Sequence, residues 1–169
     1  MAWHGMACRR HGWLAKRQLS VIFDQAEPIM KLLLAADGSP FTQKALVFLA
    51  KHRELLSGAD ELVVLNVQPP VPGRVTTMLG SADVAAYHLE ESAAVLDPAR
   101  QWLDQQKQPY RCESVVGHAV EEILAAAVRE NVDMVVMGTH GHGWLGRALM
   151  GSIAQRVVAE SDRPVLLVK

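Results

Sequence analysis

From residue 30 onward, short unbroken apolar runs alternate with segments whose apolar positions recur every three or four residues. The run at 31–36 is continuous rather than alternating, the pattern of a strand covered on both faces, and 62–67, 132–137 and 165–168 read as further strands. Residues 110–115 read as a further strand, third in chain order. Between the strands lie helical patterns. Ser39 followed by Pro40 supplies a cap and a first-turn proline, and Ala45, Phe48, Leu49, Leu55 and Leu56 form a face that runs to Gly58. Pro69, Pro70 and Pro72, followed by Gly73, force an irregular crossing. A helix is predicted over 81–107, kinked or restarted at Asp97-Pro98, where proline cannot donate its hydrogen bond. Val120, Ile123, Leu124, Ala127 and Val128 make a stripe at helical spacing, and 153–160 reads as the last helix. Strands alternating with helices imply an α/β domain: an open, mostly parallel five-stranded sheet with right-handed crossovers and helices on both faces.

The fourth run breaks into a loop with unusual chemistry. Gly138, Gly141, Gly143, Gly146 and Gly151 fall within fourteen residues, between a predicted buried strand and a predicted helix. Glycine lets backbone approach a ligand closely, and a helix N-terminus presents N–H groups backed by the helix dipole. Loop amides leading into such an end suit a phosphate group. Ser152 is placed to cap that helix, with Gln155 completing a Ser-x-x-Gln capping box.

Three nucleotide-loop patterns can be compared. A P-loop needs a Gly-Lys pair, and the chain contains none. Gly141, Gly143 and Gly146 match G-x-G-x-x-G, but the helix starts too late and the final strand carries no acidic residue at its end. The third pattern, Gly-x2-Gly-x9-Gly-Ser, is met by Gly138, Gly141, Gly151 and Ser152. With it go an apolar run ending in Asp37-Gly-Ser-Pro, the run at 62–67, and the closing segment from Ser161-Asp-Arg-Pro to Val168. Over 30–169 the chain resembles the universal stress protein family, in its ATP-binding branch.

That resemblance implies a Rossmann-like fold, similar to the adenine nucleotide alpha hydrolase type, with strand order 3-2-1-4-5. It implies ATP as ligand, accompanied by Mg²⁺. Asp37 and the backbone of Ala35 and Ala36 would border the adenine, and Val67 would offer it main-chain groups. Met137 and Gly138 would lie beside the ribose. Gly141, Gly151, Ser152 and Ile153 would hold the phosphates through amides and the serine hydroxyl. In this order the sheet's switch point lies between strands one and four, so Asp37 and Gly138 would meet in one crevice. The resemblance also implies a homodimer paired through the terminal strand at 165–168, whose edge would otherwise stay open.

Other roles stay open for several of these groups. Asp37 could instead be an Asx-turn residue that stops the strand. His140 and His142 could donate to a phosphate or stand in solvent, and Arg147 or Arg156 could meet a terminal phosphate or be surface charges. The remaining histidines and the cysteines Cys8 and Cys112 lack zinc-site spacing, so no metal site made wholly of protein ligands is expected.

Composition narrows the functional classes. Half of the 169 residues are hydrophobic and net charge is −1, which argues against a nucleic-acid binder relying on phosphate neutralisation. Two cysteines point to a reducing compartment, here the cytoplasm, and no apolar run is long enough to span a membrane. Residues 1–29 differ from the rest, with Arg9, Arg10, Lys16 and Arg17 among scattered Trp3, Trp13 and histidines. They are expected to be a poorly ordered extension or a mis-called start upstream of Met30, ahead of a single domain at 30–169. The leading expectation is an ATP-binding sensor or regulator of the stress response. A slow ATPase or nucleotidyl-transfer enzyme, and a nucleotide-independent dimeric interaction module, remain the alternatives.

Overall fold

The computed structural model describes residues 30–52, 61–141 and 150–169. Five strands, β1 (Leu32–Ala35), β2 (Leu62–Gln68), β3 (Tyr110–Val116), β4 (Met134–Gly138) and β5 (Val165–Val168), form one sheet in the order β3-β2-β1-β4-β5. Every pairing is parallel. Helices α1 (Pro40–Lys51), α2 (Gly73–Leu79), α3 (Ser81–Gln106), α4 (Ala119–Arg129) and α5 (Ser152–Glu160) connect them.

The continuous apolar runs have the expected cause. Leu32, Leu33 and Leu34 are fully buried because β1 is central and covered on both faces. Leu32 and Leu34 join Val64, Leu46, Leu49, Leu96 and Leu103 in a core under α1 and α3. Leu33 joins Val63, Leu65, Val135, Ile123 and Val157 in a second core under α4 and α5. The helices therefore lie on both faces, and the switch point falls between β1 and β4.

Several elements depart from the sequence expectation. The proline-rich crossing leads into α2, a short helix that the pattern did not reveal. The α3 helix continues through Pro98 with no restart. On α4 the buried positions are Val120, Ile123, Ala126 and Ala127, while Val128 is exposed. Val128 sits at the edge of an apolar stripe on a helix covered from one side only. Leu55, Leu56 and Gly58 lie outside the described residues, as do 1–29.

At the sheet end opposite the strand tips, charges tie the elements together. Lys31 meets Glu61 at 3.0 Å and Glu130 at 3.2 Å, and Arg111 contacts both carboxylates. Burial pushes the Glu130 carboxyl up, but hydrogen bonds from Lys31 and Arg111 outweigh it and hold the group below its ordinary range. Glu61 is lowered chiefly by its hydrogen bond with Lys31, then by Arg111.

Candidate functional site

The carboxyl ends of β1, β2 and β4 open into a cavity of about 630 Å³. Its floor follows from strand register. Ala35 of β1 stands beside Leu65 of β2 and Met137 of β4, all on the α4–α5 side of the sheet. Val67 extends that apolar surface along β2, and Ala119 and Ile123 of α4 close one wall.

Beyond β1 the chain turns sharply. Gly38 takes φ of +79°, and Ser39 becomes the N-cap of α1, its hydroxyl accepting from Thr42 N–H at 3.4 Å. Asp37 Oδ1 accepts from Ser39 N–H at 2.9 Å, an Asx turn, and from the Thr42 hydroxyl at 2.7 Å. Asp37 N–H donates back to Thr42 Oγ1 at 3.1 Å. The turn role and the cavity position thus coexist in one residue. Ala36 also borders the cavity, but its main chain is engaged: its N–H reaches Leu65 O at 2.8 Å, and its carbonyl accepts from Asn66 Nδ2 at 2.8 Å. Gln68 Nε2 supports Asn66 Oδ1 at 2.8 Å.

Beyond β4 the glycines lie where backbone approaches are tight. A Cβ on Gly138 would collide with Phe41 Cβ, and one on Gly141 would lie 2.6 Å from Asp37 Oδ2. Gly141 therefore lies directly against the Asp37 carboxylate. Thr139 N–H continues the ladder to Val168 O at 2.9 Å, and Thr139 O accepts from Gly151 N–H at 2.8 Å. His140 is no solvated bystander. It is buried, its Nδ1 lies 3.1 Å from Thr139 Oγ1, and its ring packs 5.2 Å from that of Phe41.

The entry to α5 requires a correction. Gly151, in extended conformation at φ −69° and ψ 153°, is the N-cap, and Ser152 is the first helical residue. No side chain caps this end, so the Ser-x-x-Gln capping box is not formed. The reason is the Gly151 amide, whose bond to Thr139 O starts the helix one residue earlier than the serine suggests. Gln155 instead sends Nε2 to Met150 O at 3.3 Å. Gly151 N–H is thereby occupied, whereas Ser152, Ile153 and Ala154 occupy the first helical turn, where N–H groups have no intrahelical acceptor. Ser152 and Ile153 are exposed at the cavity mouth. The N-terminus of α4 reaches the same cavity through Ala119, so two positive helix ends face it.

All ten residues expected at the site, Ala35, Ala36, Asp37, Val67, Met137, Gly138, Gly141, Gly151, Ser152 and Ile153, line this one cavity. Gly143, Gly146, His142 and Arg147 lie outside the described residues. Arg156 points elsewhere, pairing with Glu160 and Glu121. The sequence reading missed Thr42, Asn66, Thr139 and Met150. Thr42 had a usable signal: it follows the Asp-Gly-Ser-Pro turn at the third helical position, where a hydroxyl reaches back to the preceding strand end. Asn66 had another, a polar residue inside an otherwise apolar strand. Among the described residues, no group of three or more histidine, cysteine or acidic side chains could hold a metal ion. No helix among them is long and apolar enough to cross a membrane.

Comparison with known proteins agrees with this architecture. The profile of the universal stress protein family matches residues 28–169. A universal stress protein of Thermus aquaticus is 34% identical over 138 residues, covering 82% of this chain and 97% of that protein. The solved structure of protein MJ0577, a universal stress protein of Methanocaldococcus jannaschii, superposes with a TM-score of 0.68 at 28% identity, covering 83% of this chain and 96% of its own. A universal stress protein family structure from Arabidopsis thaliana with AMP bound shares the fold, with a TM-score of 0.59 at 16% identity over 83% of this chain and 91% of its own. The parallel sheet with its β1–β4 switch, Gly141 set against Asp37 and the family profile lead to one conclusion: the chain belongs to the universal stress protein family.

Proposed function

We propose that the cavity binds an adenine nucleotide, ATP with Mg²⁺, and that the protein is a cytoplasmic homodimeric sensor or regulator in the stress response. The observation that carries this reading is convergence. Three segments far apart in sequence bring an apolar floor, an acceptor at Asp37 and the uncapped start of α5 to one cavity. Its volume, about 630 Å³, falls in the usual range of small-molecule sites, about 300–1,000 Å³. Ala35, Leu65, Val67 and Met137 supply apolar surface for a base. Glycine at 141 leaves room between loop and carboxylate, where any Cβ would intrude.

The phosphates fit the α5 end. Ser152, Ile153 and Ala154 offer amides, and the Ser152 hydroxyl is not used as a cap. Charge-assisted bonds contribute about 1.5–3 kcal/mol each. Three of them with base burial reach the roughly −8 kcal/mol of micromolar affinity after ordering costs. Mg²⁺ would ride on phosphate oxygens and water, since Asp37 is the one carboxylate among the described lining residues. The AMP held by the Arabidopsis structure supports an adenine ligand for the shared fold.

Calorimetric titration of the full chain with ATP and with AMP tests the proposal. Micromolar binding of either supports it, and absence of binding by both overturns it. Steady-state phosphate release, compared between wild type and Gly151→Leu, separates a binding protein from a slow ATPase. A rate that Gly151→Leu leaves unchanged does not belong to this site.

A further inference from the structure

We propose that Asn66 is a positioning residue for the base: its side-chain amide takes the Ala36 carbonyl in place of the Val67 N–H, and so keeps the Val67 main chain for the edge of the adenine ring. The inference rests on the nucleotide reading of the cavity and adds a residue from the far face of the sheet.

In a strand the N–H and C=O of one residue point to the same side, and successive residues alternate. Leu65 O accepts from Ala36 N–H at 2.8 Å, and Gln68 O accepts from Gly117 N–H, just past β3, at 2.9 Å. Odd-numbered positions of β2 therefore turn their main chain toward β1, and even-numbered ones toward β3. Val67 turns toward β1, but the β1–β2 ladder stops at the Ala35–Leu65 pair. The next rung would run from Val67 N–H to Ala36 O. That rung is not made, and Ala36 O accepts instead from Asn66 Nδ2 at 2.8 Å. The N–H and C=O of Val67 thus lie past the last rung, on a residue that lines the cavity.

The side chain responsible comes from the opposite face. Alternation puts Asn66 with Leu62 and Val64, which pack in the core under α1 and α3, whereas Val67 belongs to the α4–α5 side. Asn66 is buried at 2% exposure, and Gln68 Nε2 donates to its Oδ1 at 2.8 Å. That bond sets which way the amide faces: with Oδ1 accepting, Nδ2 is the atom that meets Ala36 O. An apolar side chain at 66 would leave the Ala36 carbonyl without this donor. The carbonyl would then take the Val67 N–H, and the ladder would lengthen by one rung. One N–H beside one C=O suits adenine, whose ring N1 accepts and whose 6-amino group donates.

The test titrates AMP and 1-deaza-AMP, which carries C–H in place of ring N1, into the full chain by NMR. The wild type is expected to prefer AMP by about 3- to 10-fold, the contribution of one hydrogen bond. In Asn66→Val that preference is expected to fall to within about twofold, because AMP loses the Val67 N–H while 1-deaza-AMP never had it. A merely structural role would weaken both ligands alike and keep the ratio. Retention of the wild-type ratio in Asn66→Val overturns the proposal, as does a wild type that binds both ligands equally; either result leaves the nucleotide reading standing. Failure of the wild type to bind AMP or ATP overturns the nucleotide reading and this inference with it, and shows before any variant is made. If Asn66→Val melts below the assay temperature, Asn66→Val/Gln68→Leu, which also removes the buried donor left behind, runs the same pair of titrations.

Discussion

Asp37, Gly141 and Ser152 each behave in a way that their identity alone does not dictate. Gly141 is glycine because Asp37 Oδ2 occupies the space of its Cβ. Ordinarily a side-chain oxygen could swing aside, but Thr42 and Ser39 pin this one. Gly141→Ala is therefore expected to weaken nucleotide binding at least about tenfold, roughly 1.4 kcal/mol, with a small change in melting temperature. Calorimetry and thermal melts on the same preparation check it. Ser152 makes the opposite case. Loss of a serine N-cap costs about 1 kcal/mol, but Ser152 is not the cap. Ser152→Ala is expected to leave stability within about 0.5 kcal/mol while lowering affinity for ATP. A stability loss of a full cap would contradict the assigned helix start.

At the scale of elements, legibility followed burial. The strands were readable because β1, β2 and β4 are covered on both faces, and that leaves unbroken aliphatic runs. The β3 run was shorter on apolar residues but bounded by turns, and it too was readable. What the pattern did not carry was α2, whose seven residues are too few for a period and follow three prolines. The helix expected over 81–107 runs through Pro98 without a restart, because packing adds to propensity there. Leu96, Ala99 and Leu103 anchor that helix on both sides of the proline. The site was legible to the extent that it is backbone chemistry at strand ends, as the glycine spacing shows. The side chains that hold it, Thr42 and Asn66, were not, because their partners lie on other elements. Truncating a residue at the sheet's centre should be costly: Leu33→Ala is expected to destabilise by about 2–5 kcal/mol in urea unfolding, since its surroundings are fully buried.

For the whole molecule, the two ends of the sheet have different duties. The end away from the cavity is tied by Lys31, Glu61, Arg111 and Glu130, which join β1, the entry to β2, β3 and the end of α4. Both carboxylates titrate below their ordinary range in the folded protein. The unfolded chain thus binds more protons in that range, and the stability these groups contribute is present above the ordinary glutamate value of about 4.3 and lost as pH falls through the lowered values. Urea midpoints are expected to fall from about pH 5 to pH 3, and less steeply in Glu130→Gln. An identical slope in that variant would remove Glu130 from the cause.

The β5 edge is the second whole-molecule feature. Carbonyls of Pro164 and Val168 accept from β4, so alternation turns the main-chain groups of Val165 and Leu167 to the open side. If the proposed homodimer pairs these edges, Leu167→Pro removes an outward N–H and is expected to give monomers in sedimentation equilibrium. A dimer that survives in the variant would place the interface elsewhere.

The most direct measurement is a titration of the full chain with AMP, followed through assigned backbone amide resonances. Saturable shifts concentrated at Asp37, Val67, Gly138, Gly141, Ser152 and Ile153, with β3 and the Lys31–Glu130 end unmoved, are the expected result. Shifts that gather elsewhere on the surface, or none at saturating nucleotide, would contradict a nucleotide site between the Asp37 turn and the start of α5.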